Sequence, residues 1–79
     1  MEEHHIHGQN VMSHGETFEA LHYLKSDSGK HIFEHNLEEA RQHGKAVFTV
    51  NGKDFMMRKE ANEEGKPFIS IQKSIPQSH

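Results

Sequence analysis

Lys45-Ala-Val-Phe-Thr-Val-Asn-Gly-Lys-Asp-Phe-Met-Met-Arg-Lys59 decides how this chain folds, because Asn51-Gly52 lies between two apolar-rich runs. A two-residue type I′ turn needs positive φ at both central positions, which Asn tolerates and Gly adopts without cost. The turn sets the register: Val50 pairs with Lys53 and Phe48 with Phe55. Pleating then sorts the side chains, placing Ala46, Phe48, Val50, Phe55 and Met57 on one face as core. The other face carries Lys45, Val47, Thr49, Asp54, Met56 and Arg58.

Downstream, Glu60-Ala-Asn-Glu-Glu-Gly-Lys66 reads as a charged turn, and Pro67-Phe-Ile-Ser-Ile-Gln-Lys73 as a third strand with Ile69 and Ile71 on its buried face. Proline suits a strand start, where a missing N–H breaks no ladder bond. Residues 76–79 are expected to be a disordered tail.

Upstream, Asn36-Leu-Glu-Glu39 has capping-box spacing and leads through Ala40, Arg41 and His43 to Gly44, which suits a left-handed stop. A start near Gly29 instead would align Phe33, Leu37 and Ala40 on one face, packed on Phe48 and Phe55. Ser13-His-Gly-Glu16 is a second capping box, opening a helix with Phe18, Ala20, Leu21, Tyr23 and Leu24 as its apolar stripe. The same residues also read as a strand, since Ser26-Asp-Ser-Gly29 is hairpin chemistry and residues 30–35 could return as its partner. Residues 1–12 lack a clear period and are expected to form a flexible, His-rich arm. The expectation is therefore an α+β fold: one or two N-terminal helices packed on a three-stranded antiparallel meander, in a single small domain over 13–75.

The 79 residues leave room for one small core, with Leu, Ile, Val and Phe making up about a fifth of the chain. No cysteine is present, so neither a disulfide nor a thiolate metal site can staple it; self-association or a bound partner is the remaining remedy. The polar, acidic start lacks a signal-peptide pattern and no run is long enough to span a bilayer, which predicts a cytoplasmic protein away from membranes. A net charge of −3 argues against non-specific nucleic-acid binding, which draws on Lys and Arg neutralising phosphates.

The nine histidines are the compositional outlier. His31 and His35 are spaced so that, on a helix, both imidazoles share a face and can chelate Zn²⁺ or Ni²⁺. On a strand they would stand about 13 Å apart, far beyond a shared ion. His5 and His7 form a second candidate pair. Apart from these, no cofactor motif is present. There is no nucleophile elbow, phosphate-binding loop or dinucleotide fingerprint, and a chain this short leaves little room for an enclosed pocket, so a non-enzymatic protein is expected.

Val47 and Met56 place an apolar pair, with Arg58 beside it, on the face away from the core. The N-terminal segment would cover that pair, or a partner would. These three residues are the candidate protein-contact site of a regulatory or inhibitory protein. Phe33, Asn36-Leu37, Gly44-Lys-Ala-Val47 and Asn51-Gly52-Lys53 together resemble the helix-then-hairpin core of Phd/YefM-type antitoxins over about 25 residues. That resemblance implies a DNA-binding regulator. The third strand, however, stands where that family places its toxin-binding helix, and no functional residue carries over.

Overall fold

The computed structural model describes residues 2–74. Along the chain run β1 (Glu2–Ile6), β2 (Gln9–Ser13), α1 (Phe18–Lys25), α2 (Lys30–His43), β3 (Lys45–Val50), β4 (Lys53–Ala61) and β5 (Pro67–Lys73). The class is α+β, but the sheet is larger than a meander. Five strands are ordered β1-β2-β5-β4-β3, with β2 and β5 parallel and the other pairs antiparallel.

The β3–β4 hairpin has the register its turn dictates: Val50 opposite Lys53 and Phe48 opposite Phe55, with φ of 52° at Asn51 and 77° at Gly52. Its predicted core face is buried throughout, and β5 continues it with Ile69 and Ile71. Phe48 and Phe55 stack at 6.0 Å between ring centroids.

Residues 2–12, expected to belong to a flexible arm, are paired as a hairpin instead. Positive φ at His7 (47°) and Gly8 (83°) closes a two-residue turn like that at Asn51-Gly52, and β1 and β2 pair from Glu2 with Ser13 to Ile6 with Gln9. The hairpin holds because Ile6 and Val11 are both fully buried in the common core and because β2 lays itself along β5. Residues 76–79 lie outside the described residues.

Both helices pack on one side of the sheet, joining Ala20, Leu21 and Leu24 of α1 and Phe33, Leu37 and Ala40 of α2 to the strand residues in one cluster. Neither capping box operates. Gly15 takes φ of 68° and turns the chain between β2 and the helix, so α1 starts only after Thr17. Asn36, expected as a cap, sits inside α2 and donates to the Ile32 carbonyl at 2.8 Å. Residues 30–35 are helical rather than a returning strand, and Gly44 ends α2 with φ of 91° and its N–H on the Ala40 carbonyl. The two helices meet at a tight corner: a Cβ on Gly29 would lie 2.0 Å from the Tyr23 carbonyl oxygen, so only glycine fits there.

Candidate functional site

With both helices on one side, the other side of the sheet has no covering element among the described residues. Strand alternation sends Lys45, Val47 and Thr49 of β3 and Asp54, Met56, Arg58 and Glu60 of β4 to that outer side. The ladders join them into rows: Val47 opposite Met56, Met56 opposite Gln72, Lys45 opposite Arg58, Arg58 opposite Ser70. Val47 is 55% exposed, Met56 is half-buried and Arg58 exposed. The N-terminal segment does not shield this pair. It lengthens the sheet at the far edge and adds half-buried Met12, opposite Ser70, to the same outer side.

Ser70 stands at the centre of that side, fully buried between its neighbours, and its hydroxyl has no hydrogen-bond partner among the described residues. Thr49 donates to Asp54 at 2.8 Å, which holds the carboxylate near the β3 edge.

Among the described residues β3 is a free edge strand. In a two-residue hairpin the residues flanking the turn bond each other, so Val50, Phe48 and Ala46 direct their backbone groups toward β4. The Lys59 N–H on the Gly44 carbonyl, at 2.9 Å, carries the same phase one step further. The N–H and C=O groups of Lys45, Val47 and Thr49 therefore point outward from the sheet. β1 is the other edge, and its outward residues are Glu3 and His5.

A cleft of about 560 Å³ opens where α1 begins, lined by Glu2, His4, Ser13, Thr17, Glu19 and Lys53 among others. The cleft is open to solvent on one side rather than enclosed. Glu19, Lys53, Glu16 and Lys73 are paired across it. Lys53 donates to Glu19 at 2.6 Å, Asn51 donates to the same carboxylate at 3.1 Å, and Lys73 stands 3.8 Å from Glu16. The Lys53 hydrogen bond, then that of Asn51, holds the Glu19 carboxyl below its ordinary range, and the same contact raises Lys53. These bonds tie the start of α1 to the β3–β4 turn. Phe18, 80% exposed, stands at the mouth of the cleft with its ring stacked on His22.

The histidine pairs fare differently. His31 and His35 both fall on α2, exposed, one helical turn apart, which is the geometry that lets two imidazoles meet one ion. His5 and His7 are not brought together. β1 ends at Ile6, His5 lies on the outer side, and His7 turns toward the helices, with Nε2 2.7 Å from the Leu24 carbonyl and its ring 5.8 Å from that of Phe33. Among the described residues no three acids, histidines or cysteines gather as a metal cluster. No described helix is long and apolar enough to cross a membrane.

Compared with known proteins, the chain matches no family model, no curated protein and no solved structure.

Proposed function

We propose that this is a small non-enzymatic regulatory or inhibitory protein of the cytoplasm that works by protein–protein contact, with Val47, Met56 and Arg58 in the contact surface. The observation that carries this reading is the bare outer side of the sheet. An apolar Val47–Met56 row runs there beside Arg58, at an edge strand whose backbone groups face solvent. Apolar and Arg side chains of this kind anchor protein interfaces, and an edge strand adds main-chain hydrogen bonds. A photo-reactive residue at position 56 should form protein adducts in cells, and one at the exposed helix position 34 should not. Equal adducts from both positions, or none from 56, would remove the reading.

A second reading, metal binding, is favoured by the exposed His31–His35 pair on adjacent turns of α2. Calorimetric titration with Zn²⁺ and Ni²⁺ should then give heat that a His31→Ala/His35→Ala variant loses. Identical heat from both proteins would end it.

A further inference from the structure

Resting on the protein-contact reading, we infer that one partner of the contact surface is a second copy of the chain, joined antiparallel through β3 with its two-fold axis at Val47. Only the outward-pointing residues Lys45, Val47 and Thr49 can bond a neighbouring strand. Pairing about Val47 sets Val47 against Val47 and Lys45 against Thr49 of the other copy, so all three donate and accept.

The outer side selects this register from the alternatives. About Val47, the row across the junction reads Met56, Val47, Val47, Met56, apolar without a break. The flanking rows read Arg58, Lys45, Thr49, Asp54, with the cations of one copy ending on the carboxylate of the other. That carboxylate is already fixed beside the junction by Thr49 at 2.8 Å. An axis at Lys45 would line up Arg58, Lys45, Lys45 and Arg58, four cations in a row, which is repulsive. An axis at Thr49 would carry Val47 past the end of the other β3, opposite Asn51 of its turn, and lose the apolar row. Axes at Ala46 or Phe48 set Val47 against Lys45 or Thr49 and break the apolar row. On the helix side, the Val47 axis places small Ala46 opposite Phe48, which relieves crowding between the two cores. The β1 edge offers no such match, since its outward residues Glu3 and His5 contribute no apolar contact.

The absence of cysteine makes the test clean. About Val47, the two Val47 Cα atoms lie about 5.5 Å apart, within disulfide range. Thr49 and its copy are separated by four residues of offset, about 14 Å. Val47→Cys, Thr49→Cys and His5→Cys chains are oxidised with diamide, after circular dichroism has shown each to be folded. Val47→Cys should form disulfide dimers at least tenfold faster than either other variant. Equal rates, or a faster Thr49→Cys or His5→Cys, would overturn the proposal. On the unsubstituted chain, amide exchange at Val47 and Thr49 should slow as concentration rises; concentration-independent exchange would overturn it as well. Adducts to other proteins from position 56 alongside failed β3 pairing would leave the contact reading standing and remove self-pairing alone.

Discussion

Ser70 is the residue at which the sheet is least satisfied. Its hydroxyl is buried at the centre of β5 with no partner among the described residues, on the side that no helix covers. A buried, unpaired hydroxyl costs desolvation without return, whereas a β-branched apolar side chain suits a central strand. Ser70→Val should therefore stabilise the protein by about 1 kcal/mol in urea denaturation; a loss of stability would mean that the hydroxyl is bonded. Glu19 makes a pH-dependent contribution of known sign. Its folded-state carboxyl is held below the ordinary 4.5, chiefly by Lys53, so its share of stability is full above that value and is lost as pH falls through the lowered one. Glu19→Gln should shallow the decline in melting temperature between neutral pH and pH values below 4.5. An unchanged slope would show that the contact with Lys53 does not persist in solution.

At the scale of elements, what was legible followed from local chemistry. The Asn51-Gly52 turn dictated two strands, their register and five core residues, and the Pro67 strand followed from its alternation. His7-Gly8 obeys the same rule as Asn51-Gly52, and histidine is among the residues that tolerate positive φ. Its flanks hid it, because Ile6, Val11 and Met12 are sparse apolar residues in a run otherwise of Glu, His, Gln and Asn. The parallel pairing of β2 with β5 joins residues nearly sixty positions apart, and no local pattern records that. The capping boxes misled because matching residue types at the right spacing do not cap where the backbone turns instead, as at Gly15, or where the helix has already begun, as at Asn36. The contact site was legible in part: Val47, Met56 and Arg58 could be placed on one face by pleating, but the emptiness of that face depends on where the N-terminal hairpin goes. Ile6 tests that hairpin. Ile6→Ala should cost about 2–5 kcal/mol as a buried core truncation, against about 0.5 kcal/mol for a residue on a loose arm.

Across the whole molecule, the two sides of the sheet have different fates. Among the described residues, one is filled by two helices and fifteen buried apolar residues; the other leaves Val47, Met56 and Met12 beside polar rows that end in cations at one corner and Asp54 at the other. A small core gains from any surface it can bury against a partner, and the β3 edge supplies both hydrogen bonds and apolar area for that purpose. On this reading, copies of the chain join through this edge. Val47→Pro isolates it, because proline deletes an N–H that points away from β4 and leaves the hairpin ladder intact. Light scattering should give the native chain twice the monomer mass and the Val47→Pro chain the monomer mass, with the same far-ultraviolet circular dichroism. A native chain that stays at the monomer mass at the highest concentration at which it remains clear, or a folded Val47→Pro chain that still doubles, would contradict it.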